Sequence, residues 1–106
     1  MLITTLGTSH GNHTYCRYNT ATLFETGGRS YLVDVGEPVV ATMIRLGKDL
    51  DALKAVFITH MHGDHSGGLP MLIKMLRKYP KDGKQTEVFF PDDVADALGA
   101  WLRAIV

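Results

Sequence analysis

"AVFITHMHGDHSGGLP", residues 55–70, runs from a short apolar, β-favouring stretch into three of the chain's five histidines within six positions. Ala55 to Thr59 has the length and residue types of a short strand, consistent with burial on both faces as in a parallel sheet. His60 and His62 are two residues apart, so in extended backbone their side chains leave the same face with Cα atoms about 7 Å apart. Two imidazoles so placed can converge on one metal ion at ~2.0–2.1 Å, while Met61 points the other way. Gly63 lets the chain turn sharply and brings Asp64 and His65 round to the same opening. The four side chains can therefore serve two metals, His60 and His62 on one, Asp64 and His65 on the other. Mixed imidazole and carboxylate ligands suit Zn²⁺, and also Mn²⁺ or Fe²⁺. Two ions ~3.5–4 Å apart can share a water, lower its pKa and hold both the attacking and leaving oxygens, so hydrolysis is the chemistry such a cluster serves best. A chance cluster in a polar loop is the alternative; four metal-competent residues in six positions after a strand are too ordered for it.

Working outward, the flanking segments supply the rest of an α/β chain. Met1 to Leu6 reads as a first strand ending at Gly7, and "GTSHGNHTY" after it as a loop. "NTATLFETGGRSYLVDVG" is the clearest hairpin, with Thr20 to Glu25 and Ser30 to Val35 around Gly27-Gly28. "EPVVATMIRLG" reads as a helix with Pro38 in its first turn, Glu37 near the positive end of its dipole and Gly47 just past its end. Leu69, Leu72, Ile73 and Leu76 fall at i, i+3, i+4 and i+7, one apolar helix stripe. Lys74, Arg77, Lys78 and Lys81 share that spacing on another face, which reads as a solvated face rather than an RNA-binding stripe. "TEVFFP" is a further strand, and Asp92 or Asp93 can cap a last helix with Val94, Leu98, Trp101, Leu102 and Ile105 on its apolar side. The order β, ββ, α, β, α, β, α predicts a mixed sheet with flanking helices.

The whole-chain totals restrict the partners. One hundred and six residues suffice for one small domain, 45% of them apolar and 21% charged, an ordinary globular balance. Eleven basic residues match eleven acidic ones, so net charge gives no reason to expect a nucleic-acid or membrane-surface binder. No apolar run approaches the ~20 residues that span a bilayer, and the start has no basic n-region or long apolar h-region, so no signal peptide is read there. Cys16 is the single cysteine, a small buried residue in this reading, and a cytoplasmic protein is the expectation.

"THMHGDH" matches the His-x-His-x-Asp-His signature of the metallo-β-lactamase superfamily of hydrolases. "LGTSHG" at Leu6, "NTATLFETGGRSYLVDVGE" at 19–37 and "FITHMHGDHSGGLP" at Phe57 resemble the corresponding segments of ribonuclease Z and its arylsulfatase and phosphodiesterase relatives. The resemblance runs from about Ile3 to Pro91. It implies an αββα sandwich with a dinuclear site, usually zinc, at one edge of the sheets. His60 and His62 would bind the first metal, Asp64 and His65 the second, and Asp64 would handle the proton needed by the leaving group. His62 stands where redox di-iron relatives carry a glutamate, which favours hydrolysis over electron transfer. Asp34 in "LVDVGE" matches the family's strand-end aspartate, expected to accept a hydrogen bond from a ligand histidine and fix its tautomer; a plain turn aspartate would read the same way. His10 and His13 lie in a loop that the resemblance places beside the active site, where they could meet substrate phosphate or sulfate or be part of a plain polar loop.

The family's domain is roughly 200–250 residues, about twice this chain. Its later ligands are a third histidine for the first metal, a bridging aspartate and a final histidine, and no histidine follows Ser66. The expectation is an N-terminal half-domain, residues 1–106, ending on the uncapped apolar pair Ile105-Val106. Such a half should leave an apolar sheet face and apolar helix faces exposed, and seek a missing C-terminal half or a second copy. Two readings follow. One is a hydrolase that, when intact, cleaves phosphodiesters by a metal-bound hydroxide, with RNA, a small phosphodiester, a phosphate ester or an aryl sulfate as substrate. The other is a non-catalytic half-domain that oligomerises around an incomplete metal site.

Overall fold

Gly27 and Gly28 decide the first half of the sheet. In the computed structural model, residues 1–8, 19–59, 63–78 and 85–105 are described, positions 63, 64 and 78 by backbone alone. Strand β2 (Ala21–Thr26) turns into β3 (Arg29–Val33) with Thr26 paired to Arg29 and Leu23 to Leu32, leaving a two-residue loop. Its two glycines sit at φ of 57° and 76°, the positive values that a hairpin turn matching the strand twist requires at both positions. β1 (Leu2–Gly7) lies antiparallel on the outer side of β2.

From β3 the chain crosses over through helix α1 (Val39–Arg45) to β4 (Leu53–Phe57), which pairs parallel to β3. A short helix α2 (Gly63–Ser66) and the longer α3 (Leu69–Lys78) lead to β5 (Glu87–Phe89), parallel to β4. The sheet order is β1-β2-β3-β4-β5. A 3₁₀ turn (Asp92–Val94) precedes the last helix, α4 (Ala95–Ile105). The expected order of elements is present, with α2 added where the sequence suggested only a sharp turn. Asp92 and Asp93 do not cap α4 but lie inside the 3₁₀ turn, closed by the Val94 N–H donating to the Pro91 carbonyl at 3.2 Å.

Register places Leu23, Leu32, Val56 and Val88 side by side on one sheet face. Val39, Val40 and Met43 of α1, Leu69 and Leu72 of α3 and Leu98 of α4 join that row in one apolar cluster. Leu23, Leu32, Met43, Leu69, Leu72 and Leu98 are fully buried, and each such side chain contributes roughly 1.5–3 kcal/mol relative to exposure.

The opposite face differs from the sequence reading of a strand covered on both sides. Ile3, Phe24 and Tyr31 line up across β1–β3, and Val33, Phe57 and Phe89 across β3–β5. Ile3 is 57%, Phe57 40% and Phe89 46% exposed, with Phe57 stacked on Phe89 at 5.1 Å between ring centroids. Ala55 alone on this side of β4 is buried. The described helices pack on the Leu23–Leu32–Val56 face, and among the described residues Phe57 and Phe89 stay exposed on the opposite one. Helix residues Ile44, Met71 and Ile105 are exposed as well.

Candidate metal centre

In a sheet with parallel strands, ligands collect at the carboxyl ends of the strands, and here β3 and β4 end side by side. Asp34, the first residue past β3, has φ of 60°, a left-handed conformation that aspartate tolerates better than most non-glycine residues. Its backbone N–H still donates to the Phe57 carbonyl at 2.7 Å, so the residue stays tied to β4 while its side chain is turned out of the strand pattern. The side chain is only 4% exposed.

The carboxylate is met from two directions. Thr59, just past β4, donates its backbone N–H to Oδ1 at 2.8 Å, and its hydroxyl lies 2.8 Å from Oδ2 and 3.1 Å from Oδ1. Nδ1 of His65, on α2, lies 2.8 Å from Oδ2. A buried carboxylate so surrounded has its hydrogen-bonding capacity met. An imidazole that gives its Nδ1–H to such a carboxylate carries its lone pair on Nε2, the arrangement by which carboxylates orient metal-binding histidines.

Backbone contacts seat α2. The Val35 N–H donates to the His65 carbonyl at 2.6 Å, and the Gly68 N–H donates to the Val35 carbonyl at 2.6 Å. A Cβ at position 68 would stand 2.5 Å from the Val35 oxygen and 2.6 Å from Val39 Cγ1. Glycine is therefore what lets the turn between α2 and α3 lie directly on the end of β3. Strand end, short helix and following turn form one bonded unit that carries both Asp34 and His65.

Of the residues marked in the sequence, Asp34 and His65, 31 positions apart, are brought into contact. Asp64 lies on α2 beside His65, its side chain outside the described set. His60, His62, His10 and His13 lie outside the described residues. Among the described residues no three His, Cys, Asp or Glu gather into a metal-sized group. The donor chemistry on view fits a cation: an imidazole whose Nδ1 meets a buried carboxylate, one position from an aspartate. Two contributors escaped the sequence reading. Thr59 was signalled only by being the polar residue between an apolar strand and His60, and Gly68 only by the pair Gly67-Gly68.

Comparison with known proteins bears on the fold and the family. Residues 1–104 match the family described as Anti-Pycsar protein Apyc1. A ribonuclease Z of Synechococcus sp. (strain CC9605) is 37% identical over 105 residues, covering 97% of this chain and 33% of the relative. The chain thus spans about a third of the length of the curated relatives it matches. Human tRNase Z, short form, superposes with a TM-score of 0.84 at 25% identity, over 96% of this chain and 39% of that one. The metallo-β-lactamase fold protein YhfI of Bacillus subtilis gives a TM-score of 0.75 at 23% identity, over 92% and 41% respectively, and shows the fold alone. No described helix is long and apolar enough to cross a membrane. A five-stranded mixed sheet with its helices on one face, a strand-end aspartate on a motif histidine and a match over nearly every residue lead to one assignment: the chain has a ribonuclease Z-like metallo-β-lactamase fold and belongs to the Anti-Pycsar protein Apyc1 family.

Proposed function

We propose that this chain carries one part of the metal site of a cytoplasmic, metal-dependent hydrolase that cleaves phosphodiesters. The observation that supports it most is the contact between Asp34 Oδ2 and His65 Nδ1, the arrangement by which a carboxylate orients a metal-binding histidine. His60 and His62 would hold one ion and Asp64 and His65 a second, with zinc as the expected metal and manganese or iron as alternatives. Bound there, the ions would activate water and stabilise charge on the ester oxygens. Asp64 would accept the proton from that water and return it to the leaving oxygen. Asp34 stays out of the reacting atoms and orients His65.

Curated relatives named for ribonuclease activity support a phosphodiester as the bond cleaved. The balance of 11 basic and 11 acidic residues keeps a small phosphodiester on an equal footing with RNA, since binding a long polyanion draws on a positive surface. The test is hydrolysis of bis(p-nitrophenyl) phosphate by the intact protein with Zn²⁺ or Mn²⁺. Turnover abolished by His62→Ala and by Asp64→Ala is expected. Cleavage of p-nitrophenyl sulfate without any of the diester would replace the phosphodiesterase reading with a sulfatase one.

A second reading has its own support in the open sheet face. Residues 1–106 would be a half-domain, inactive alone, that works only when the face bearing Phe24, Tyr31, Phe57 and Phe89 is covered by a C-terminal half or a second copy. A contiguous apolar face of that kind is rare on a free-standing domain.

A further inference from the structure

We infer that Thr59 is a positioning residue: it clamps the Asp34 carboxylate and through it sets the orientation of His65. The inference deepens the proposed metal site and rests on it for its chemical use. Asp34 sits at a left-handed φ of 60° just past β3, so the strand does not by itself dictate where its carboxylate points. Both donors of Thr59 converge on that carboxylate, the N–H on Oδ1 at 2.8 Å and the hydroxyl on Oδ2 at 2.8 Å. A carboxylate gripped at both oxygens by one residue has lost its freedom to swing. Oδ2, the oxygen the hydroxyl holds, is also the one that meets His65 Nδ1.

The position of Thr59 in the chain gives the clamp its reach. Thr59 directly precedes His60, while His65 lies on α2 beyond the cluster. Asp34 is therefore the common point between the segment leading into the first pair of proposed ligands and the helix bearing the second. Closing this triangle before metal arrives removes ordering that binding would otherwise have to impose. Thr59 is itself exposed, so its inward-aimed donors, rather than core packing, are what the fold gains from it.

Thr59→Val keeps the β-branched shape and the backbone N–H and removes the hydroxyl. Thr59→Ser keeps both donors. Two readouts apply, zinc affinity by chelator competition and the His65 tautomer from imidazole ¹⁵N shifts in the metal-free protein. Thr59→Val is expected to weaken zinc binding by about tenfold to a hundredfold and to turn a single Nδ1–H tautomer into a mixture. Thr59→Ser should restore wild-type behaviour in both. Wild-type affinity and a single tautomer in Thr59→Val would overturn the inference, as would equal losses in Ser and Val, which would assign the effect to the methyl group. If the intact wild-type protein, with the remaining ligands in place, binds no zinc, the metal site is overturned. A tautomer that then still follows the hydroxyl supports the clamp, and one that does not overturns it too.

Discussion

Replacing Gly68 by alanine should destabilise this fold, although alanine usually stabilises when it replaces glycine in an unstrained backbone. The added Cβ would lie 2.5 Å from the Val35 carbonyl oxygen and 2.6 Å from Val39 Cγ1. One neighbour is backbone, and the other is a side chain packed in the core at 2% exposure. Neither can yield cheaply, and overpacking of this kind costs about 1–3 kcal/mol. Moving the turn away would also lengthen the 2.6 Å bond from the Gly68 N–H to Val35, a further loss of about 0.5–1.5 kcal/mol. Against this, alanine lowers the entropy of the unfolded chain, worth about 0.4–1 kcal/mol. The net loss is about 0.5–4 kcal/mol, which for a domain of this size lowers Tm by about 2–30 °C. Gly99→Ala is the internal control. The nearest atoms to its Cβ belong to the flexible guanidinium of Arg103, at 3.1 Å, and an alanine inside α4 should stabilise by about 0.5–1 kcal/mol. Urea and thermal unfolding of both variants beside the wild type make the measurement. Gly68→Ala as stable as wild type, with Gly99→Ala stabilised as expected, would refute the claim that the α2–α3 turn rests on the end of β3.

Two further outcomes follow from the same contacts. Asn at position 34 tolerates the left-handed backbone but turns an amide N–H₂ or a single carbonyl oxygen toward three donors. Asp34→Asn should cost about 1–3 kcal/mol in urea unfolding and weaken zinc binding about tenfold to a hundredfold by chelator competition; unchanged zinc affinity would remove Asp34 from the site. Phe57 and Phe89 are stacked at 40% and 46% exposure, so under the half-domain reading, in which a second copy covers them, Phe57→Thr with Phe89→Thr should lower self-association of the 106-residue chain in sedimentation velocity. Unaltered association would place the contact elsewhere.

Periodicity and turn glycines by themselves determine much of this fold. Alternating residues around Gly27-Gly28 specify a hairpin because only positive φ closes a two-residue loop, and Leu69, Leu72 and Ile73 specify a helix because their spacing puts them on one side of it. Those signals are local, so a linear chain displays them. The strand ending just before the histidines was legible as well, two residues out of place: β4 stops at Phe57, and Thr59 falls outside it.

Tertiary structure alone decided three things. It gathered the helices on the Leu23–Leu32–Val56 face and left Phe57 and Phe89 open, because which side of a strand is covered depends on where crossover helices pack. It chose between a turn aspartate and a histidine partner for Asp34 by bringing His65 to it across 31 positions. It gave Thr59 and Gly68 their roles, one through two hydrogen bonds to a carboxylate 25 positions away and the other through a close approach to Val35. Such contacts join residues remote in sequence and add no pattern of their own to the chain, so they become visible only when the strand ends are set side by side.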